Sequence, residues 1–262
     1  MDAPLVILRA ITTRLPRIRG AGIVGNWARD FYARRPRPRV VADVLGLRMT
    51  LDPMENVDGS LLFFPHLYDH REIAALLDAL PKDGVFVDVG AHIGFYALQA
   101  ARRIGAGGRV VAIEADPKTA THLAENVGLN PGLPVTVVAV AVSDEEGTAR
   151  LGLNTAGNRG GNSLLATGSR AIDVPCRPLA AILADAGLTH VDGMKLDVEG
   201  MEFRVLRRFL ADATEAMKPR IVVLEHQSHF VDAGGGDANA LLESAGYRCA
   251  LRTSINRVLV RP

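Results

Sequence analysis

Residues 85–94 decide the fold, and they read Val85-Phe86-Val87-Asp88-Val89-Gly90-Ala91-His92-Ile93-Gly94. The first five form an apolar, mostly β-branched run, which is typical of a buried strand. The loop then contains two glycines, and residues 94–104 have the apolar spacing of a helix. Glycine lets the backbone turn sharply and come close to a ligand, and the first turn of a helix presents unpaired N–H groups. The stretch therefore predicts a strand, a ligand-binding loop and a helix in succession.

The spacing within the loop indicates which kind of ligand it suits. From Asp88 to Gly94 the loop reads Asp-x-Gly-x-x-x-Gly. A dinucleotide pyrophosphate is instead held by Gly-x-Gly-x-x-Gly at a helix N-terminus. An acidic residue at the head of the loop would repel phosphates and suits a ligand with a cationic amino-acid portion. The alternative at this point is a glycine turn that joins a strand to a helix and binds nothing.

A second acidic residue, Glu114, ends the next predicted strand, Arg109–Ile113. A carboxylate at this place in a nucleotide-binding fold can accept hydrogen bonds from both hydroxyls of a ribose. Glu114 follows Asp88 within one strand–helix–strand unit. The two carboxylates together predict a nucleoside-containing ligand.

Strand-like and helix-like segments alternate along the rest of the chain, with further strands predicted at 135–142, 193–198, 221–225, 247–251 and 257–260. Near-continuous apolar strands between helices predict a doubly wound α/β fold, in which helices cover both faces of a mostly parallel sheet. Only residues 252–256 join the last two strands. Because so short a link cannot contain a crossover helix, these strands should pair antiparallel. We therefore expect a seven-stranded Rossmann-like sheet with an antiparallel last strand.

The first 39 residues differ from the rest in charge and pattern. They contain nine arginines and two aspartates, a net charge of +7, so the remaining residues carry −6. Apolar side chains recur between the arginines at helical spacing, and Pro36 and Pro38 end that pattern. We expect a basic N-terminal helical cap over residues 1–39 and a second unit over 40–262 that opens with a hairpin around Gly46 and a helix at 72–80. The arginines are either a solvated helix face or a patch for an anionic substrate, a lipid surface or a partner.

Composition excludes several classes of protein. Of the 262 residues, 48% are hydrophobic and 23% are charged, which argues against disordered, collagenous and disulfide-scaffold proteins. A net charge of +1 gives no sign of a nucleic-acid partner. Cys176 and Cys249 have no metal or redox spacing and fit a reducing compartment. Since no apolar run approaches the roughly 18 residues of a membrane helix, and no signal peptide is recognisable, we expect a cytoplasmic protein.

Taken together, these residues resemble the class I S-adenosylmethionine-dependent methyltransferases, and more closely the FkbM family. The resemblance implies S-adenosylmethionine as the cofactor and methyl transfer to hydroxyl oxygens of sugars, polyketides or other natural products. A small-molecule or glycoside acceptor and a homodimer are the partners we expect. The resemblance extends over about two thirds of the chain, and its last block is the part specific to the family; it is carried by Val57-Asp58-Gly59-Ser60, Val85–Tyr96, Glu114-Ala115, Leu123-x-x-Asn126, Ala141-Val142-Ser143-Asp144 and Lys195-Leu196-Asp197-Val198-Glu199-Gly200.

The resemblance also implies a set of cofactor-binding residues. It assigns the methionine portion to the loop after the first strand, the ribose to the next strand end, and the adenine to the block that follows the third strand. His92 stands where the family frequently has Asn. Asn126 is either a ligand contact or a polar residue of its helix. The expected cofactor-binding residues are Asp88, Gly90, His92, Gly94, Glu114, Asn126, Ser143 and Asp144.

Candidates for the reaction centre follow two later strands. Asp197 and Glu199 end one predicted strand, and Glu225 and His226 end the next. Ligands bind at the carboxyl ends of strands in open α/β sheets, so Asp197, Glu199 and His226 are the catalytic candidates, for proton transfer or substrate positioning. Two alternatives remain open, which are a divalent ion such as magnesium or calcium and plain salt bridges. A dinucleotide-dependent oxidoreductase and a non-catalytic cofactor-binding protein are the rival functions.

Overall fold

The computed structural model describes residues 2–16, 20–154, 161–164, 170–225 and 235–262. Its strands are β1 Val40–Val44, β2 Leu47–Leu51, β3 Val85–Val89, β4 Arg109–Glu114, β5 Val135–Ala139, β6 Ala141–Val142, β7 Gly147–Gly152, β8 Ala171–Arg177, β9 Gly193–Leu196, β10 Ile221–Glu225, β11 Arg248–Arg252 and β12 Asn256–Val260. Its helices are α1 Ala3–Thr12, α2 Ala21–Tyr32, α3 Asn56–Phe63, α4 His70–Ala79, α5 Phe95–Ile104, α6 Pro117–Gly128, α7 Leu179–Asp185, α8 Glu202–Asp212 and α9 Ala238–Ser244, with a 3-10 turn at Glu215–Met217.

Seven strands form the central sheet in the order β11-β12-β10-β9-β3-β4-β5. Strands β5, β4, β3, β9 and β10 pair in parallel, whereas β12 is antiparallel to both of its neighbours. The expected doubly wound, mostly parallel α/β sheet with an antiparallel last strand is confirmed. The short link between β11 and β12 forms the hairpin that its length predicts.

Strand β3 lies in the middle of the sheet and is buried along its whole length. Its alternate side chains face two different cores, with Phe86 packing in one and Val85, Val87 and Val89 in the other. This is the period of two that a strand covered on both faces requires. The chain leaves β3 for β4 on one side, and β9 lies on the other. Such a switch in strand order opens a crevice at the carboxyl ends of the strands.

The predicted strand over residues 135–142 is two strands in two sheets. The chain leaves the central sheet at Val140, whose N–H donates to the Glu114 carbonyl oxygen at 3.1 Å. Strand β6 then pairs with β8, which also pairs with β7, in a small sheet that sequence analysis did not predict. Pro175 within β8 lowers the strand signal there. It is tolerated because β6 pairs only with Cys176 and Arg177.

The N-terminal residues form two helices and then the hairpin that was expected around Gly46. Leu5, Ala28 and Tyr32 belong to the same core cluster as Phe86 of the central sheet. Helix α3, which was not predicted, lies between α2 and the hairpin. The two N-terminal helices thus pack in the same core as the central sheet. The division of the chain into two units at residue 39 stays a prediction. Within the described ranges, no helix has both the length and the apolar character to cross a membrane.

Candidate functional site

A cleft opens at the carboxyl ends of β3, β4, β9 and β10. Its walls are the loops that follow these strands, the turn before α4, the first residues of α5, strand β6 and the start of β12. Most of the expected site residues that the structure describes line this cleft, and they are Asp88, Gly90, His92, Glu114, Asp197 and Glu199. His226 lies outside the described residues, so its predicted role stays a prediction.

The loop after β3 is held against both neighbouring strands. The N–H groups of Gly90 and Ala91 donate to the Ile113 carbonyl oxygen at 3.0 and 2.9 Å. Gly90 has a φ of 74°, and a Cβ there would lie 1.8 Å from the Asp197 carbonyl oxygen. Glycine is therefore required where two strand ends meet as well as where a ligand approaches. A larger residue at position 90 would therefore disturb the packing of the protein as well as any ligand contact.

Gly90→Ala should lower the melting temperature more than Gly94→Ala, which is its matched control. Both glycines have positive φ, so the backbone strain is similar. The Cβ at Gly90 meets backbone, whereas the Cβ at Gly94 would lie 2.3 Å from Leu123 Cδ1, the end of a side chain that can move. Forced overpacking costs about 1–3 kcal/mol, or roughly 2–10 °C in a chain of this size. Equal melting temperatures in thermal unfolding would contradict this account of the loop.

Glu114 connects the ends of β3 and β4. Its Oε2 accepts the His92 N–H at 2.9 Å, and its Oε1 accepts the Asp116 N–H at 2.9 Å. Burial raises the pKa of Glu114 to about 7, although these two N–H groups lower it. Each carboxylate oxygen has a second lone pair for another donor. Glu114 thus fixes the loop and presents hydrogen-bond acceptors to the cleft.

Asp88 is the most deeply buried acid in the cleft, with 1% of its surface exposed. Neither of its carboxylate oxygens has a well-formed hydrogen bond among the described residues. Burial raises its pKa to about 6, while the Lys195 ammonium and the Ala97 N–H lower it. A buried carboxylate that lacks well-formed hydrogen bonds is costly, so Asp88 can still accept hydrogen bonds from a cationic donor on a ligand.

Lys195 is a buried cation beside these acids, with 8% of its surface exposed. Its Nζ donates to Asp197 Oδ2 at 2.8 Å and lies 5.3 Å from the centre of the Tyr96 ring. Burial acts against the charge of Lys195, but the Asp197 and Asp88 carboxylates raise its pKa above the ordinary value. Burial likewise acts against the Asp197 charge, yet Lys195 holds the pKa of Asp197 below its ordinary value. Asp197 is therefore ionised at neutral pH.

Three carboxylates meet in the cleft where β9 and β10 end. One oxygen from each of Asp197, Glu199 and Glu225 lies within 4.8 Å of the other two. A hydrogen bond between the Asp197 and Glu225 side chains also lowers the Asp197 pKa. Two carboxyl groups that interact this closely titrate as a pair. The cluster can therefore take up a proton, and its oxygens are also the ligands that magnesium and calcium prefer.

The loop that bears this cluster is fixed by Glu202, which sequence analysis missed. Its two carboxylate oxygens accept the Val198 N–H at 2.9 Å and the Gly200 N–H at 3.0 Å. Glu199 has a φ of 51°, and its carbonyl oxygen accepts the Ser163 hydroxyl at 2.7 Å. A glutamate soon after a glycine loop was a signal for this role, because helix starts commonly use one to satisfy free N–H groups.

A second polar pair on the cleft wall was also missed. The Tyr96 hydroxyl donates to Asp69 Oδ2 at 3.0 Å. Asp69 has a φ of 43°, and burial together with Glu72 raises its pKa to about 6. From the sequence, an Asp directly before a helix is typical of an N-cap. In the structure its side chain makes no cap hydrogen bond and lines the cleft instead.

Asn126 does not line the cleft, and its expected cofactor contact stays a prediction. Its side chain is 0% exposed. Its Oδ1 accepts the Thr50 N–H at 2.7 Å, and its Nδ2 donates to the Ile93 carbonyl oxygen at 2.9 Å. Asn126 therefore positions the loop by tying it to the edge of β2.

Ser143 and Asp144 are also outside the cleft lining, and their expected adenine contact stays a prediction. The Ser143 N–H donates to the Arg177 carbonyl oxygen at 3.0 Å. Asp144 pairs with Arg204 at 2.9 Å, and although burial raises its pKa, Arg204 lowers it further. The residues that line the cleft here are their neighbours Ala141 and Val142.

Comparisons with known proteins show the family to which the chain is similar. The family model described as the methyltransferase FkbM domain matches residues 88–249, more than half of the chain. The methyltransferase sdnD of Sordaria araneosa is 28% identical over 179 residues, which cover 56% of this chain and 65% of that protein. The AMB antimetabolite synthetase AmbE of Pseudomonas aeruginosa is 29% identical over 213 residues, which cover 66% of this chain and 10% of that protein. The chain thus spans less than two thirds of either relative.

Among solved structures, precorrin-6y C5,15-methyltransferase from Geobacter metallireducens GS-15 is similar at a TM-score of 0.46 and 15% identity. That alignment covers 72% of this chain and 86% of that chain. Likeness at this level carries no inference about function.

Proposed function

The chain belongs to the FkbM methyltransferase family, and from this premise we propose that it transfers a methyl group from S-adenosylmethionine to a hydroxyl oxygen of a small molecule. The observation that carries the proposal is the buried Asp88 carboxylate, whose oxygens have no well-formed hydrogen bond among the described residues, in one cleft with Glu114 and the carboxylates of Asp197, Glu199 and Glu225. One relative is named an antimetabolite synthetase, which supports a sugar, polyketide or other natural product as the acceptor.

The residues of the cleft fit S-adenosylmethionine in three respects. The Asp88 oxygens, which have no well-formed hydrogen bond among the described residues, suit its ammonium group, and Gly90 lines the cleft beside them. Gly94 is outside the cleft lining, and its expected cofactor contact stays a prediction. Both Glu114 oxygens can accept from ribose hydroxyls. Apolar side chains beside Glu114 offer a surface for adenine, and they are Ile113, Ala115, Val140, Ala141, Val142, Leu151 and Leu164. When bound, S-adenosylmethionine supplies an electrophilic methyl group on a sulfonium.

The carboxylates that follow β9 and end β10 take the proton of the acceptor hydroxyl in this proposal. Lys195 keeps Asp197 charged, so Asp197 orients the hydroxyl by accepting its hydrogen bond. The proton then passes to the carboxyl pair of Asp197 and Glu225, beside Glu199. Positioning supplies most of the rate enhancement in such a displacement, and proton transfer adds typically about 10²–10⁴-fold. Tyr96 and Asp69 add a polar wall for the acceptor.

Incubation with methyl-labelled S-adenosylmethionine and a panel of sugars, glycosides and hydroxylated polyketides tests this function. We expect label in an ether linkage on one acceptor class, with one S-adenosylhomocysteine formed per methyl group transferred. Label on nitrogen or carbon would contradict hydroxyl transfer. Donor binding without transfer to any member of the panel favours the non-catalytic alternative.

Donor affinity should depend on pH in a defined direction. The ionised forms of Glu114 and Asp88 accept the donor's hydrogen bonds, and burial raises their pKa values to about 7 and about 6. Protonation competes with binding, so the dissociation constant of S-adenosylhomocysteine should rise as pH falls from 8 to 5.5. Titration calorimetry at several pH values measures this rise. Glu114→Gln should remove the part of this pH dependence that is centred near pH 7. If the pH dependence of the dissociation constant were unchanged in that variant, the assignment of Glu114 to donor binding would be wrong.

A metal-dependent version of the same reaction is the second candidate, because the oxygens of Asp197, Glu199 and Glu225 lie within 4.8 Å of one another. In that case these residues would hold a divalent cation that orients the acceptor. We favour proton transfer, since the Asp197–Glu225 hydrogen bond and Lys195 already offset the negative charge of the cluster. Activity should therefore survive EDTA. Loss of activity with EDTA and its return with magnesium would establish the metal instead.

A further inference from the structure

Helix α2 buries mostly small residues and exposes most of its large apolar side chains, which is the reverse of an ordinary surface helix. Its buried residues are mostly small, and they are Ala21, Gly25, Ala28 and Tyr32. Its large apolar side chains face solvent, with Ile23 73% and Trp27 58% exposed, together with Val24 and Phe31. A surface helix normally buries its large apolar side chains and exposes polar ones. An exposed apolar stripe of this kind indicates a surface that something else covers.

Close packing fixes this orientation. A Cβ on Gly25 would lie 2.2 Å from Cδ1 of Phe64, so only a residue without a side chain fits there. On the same buried side, the Tyr32 ring packs edge-on against Phe63 at 5.7 Å, and its hydroxyl donates to Asp2 at 3.2 Å. Rotation of α2 about its axis would break these contacts, so the packing of the protein keeps the apolar stripe exposed.

Helix α1 shows the same pattern, with Leu5 buried in the core and three large apolar side chains exposed. We call the exposed set on both helices the N-terminal apolar face, and it consists of Val6, Ile7, Ile11, Ile23, Val24, Trp27 and Phe31. Residues 1–39 contain 7 of the 11 large hydrophobic residues that are exposed in the described part of the chain.

Arginines accompany this face. Arg14, Arg34 and Arg35 are exposed, and among the described residues no carboxylate forms an ion pair with any of them. The Arg34 guanidinium lies 5.2 Å from the centre of the Phe31 ring. This combination of exposed apolar and aromatic side chains with unpaired cations is typical of helices that lie in a membrane interface.

We propose that the N-terminal apolar face docks on an anionic lipid surface. Lipid accounts for both the exposed apolar side chains and the exposed arginines. Acyl chains bury Ile23 and Trp27, while anionic headgroups pair with the arginines. A second copy of this chain is disfavoured, since a two-fold contact would set the same arginine-rich patch against itself. Nucleic acid would pair with the arginines but leave the aliphatic side chains uncovered. The inference is independent of the methyl-transfer chemistry.

The intact chain carries its own reporter, because Trp27 is the only tryptophan in the sequence. We expect co-sedimentation with vesicles of phosphatidylglycerol and phosphatidylcholine, and a blue shift of tryptophan emission as Trp27 leaves water. Vesicles of pure phosphatidylcholine should bind at least about 10-fold less protein, and added salt should weaken binding to the anionic vesicles.

Two surface variants separate the charged and apolar contributions. Arg34→Gln should weaken vesicle partitioning about 5-fold, and Ile23→Gln should weaken it by about 10-fold or more. Arg252→Gln and Val41→Gln are the matched controls, because both side chains are exposed outside the two N-terminal helices. Neither control should change partitioning by more than about 2-fold.

Absence of vesicle binding and of a blue shift would overturn the proposal. So would equal losses in the variants and in their matched controls. Sedimentation velocity without lipid distinguishes a second copy. A concentration-dependent dimer that Ile23→Gln dissociates would assign the face to self-association and overturn lipid docking.

Discussion

Asp197→Asn should lower methyl-transfer turnover by about 10²–10⁴-fold, because an amide cannot take part in accepting the hydroxyl proton. Affinity for S-adenosylhomocysteine should change by less than about 10-fold, since the Asp88 and Glu114 carboxylates remain. In this variant Lys195 still has the Asp88 carboxylate nearby, and that carboxylate also raises the Lys195 pKa. Turnover with an acceptor from the panel and calorimetric affinity for the product measure the two effects separately.

Asp212→Asn is the matched control, since it makes the same chemical change at an exposed carboxylate outside the cleft lining. Asp212 pairs with Arg208 at 2.6 Å, and its substitution should keep turnover within about 3-fold. Thermal unfolding of both variants checks that each is folded. If Asp197→Asn turned over as fast as Asp212→Asn, positioning alone would explain catalysis and the proton-acceptor role of Asp197 would be wrong.

Glu114→Ala should raise the dissociation constant of S-adenosylmethionine by about 10- to 100-fold. Losing hydrogen bonds to a charged acceptor costs about 1.5–3 kcal/mol. Glu125→Ala is the control, because Glu125 lies on the exposed side of α6 with half of its side chain in solvent. We expect no more than a 2-fold change in that variant.

A donor analogue distinguishes ribose binding from a structural effect of Glu114. The carboxylate also accepts the His92 and Asp116 N–H groups, so Glu114→Ala loosens the loop as well. If Glu114 binds the ribose, an analogue of S-adenosylhomocysteine without the two ribose hydroxyls should lose much less affinity on this substitution. An equal loss for both ligands would restrict Glu114 to holding the loop.

The local sequence pattern was sufficient to predict the part of the site that lies in one strand–loop–helix unit and the strand after it. Asp88 and Glu114 end neighbouring parallel strands, and the carboxyl ends of such strands lie at one edge of the sheet. The sequence therefore places them in a common cleft without knowledge of distant contacts. The same reasoning placed Asp197 and Glu199 at that edge, because β9 pairs with β3.

Contacts between distant segments could not be predicted in this way. Asn126 is a polar helix residue in the sequence, and its hydrogen bond to Thr50 depends on how β2 packs beside α6. The pairing of Tyr96 with Asp69 likewise requires a turn that no spacing rule predicts. Ser143 and Asp144 follow β6, a strand of the small second sheet that the spacing of apolar residues did not predict. In each case tertiary packing decided the outcome.

The most direct test of the central claim is calorimetric titration of the intact protein with S-adenosylmethionine and, separately, with NADH. We expect one S-adenosylmethionine to bind per chain, with lower affinity in Glu114→Ala, and no measurable heat with NADH. This expectation rests on the Asp-x-Gly-x-x-x-Gly loop, whose buried Asp88 suits an ammonium group and repels a pyrophosphate. Binding of NADH without binding of S-adenosylmethionine would contradict it and favour a dinucleotide-dependent oxidoreductase.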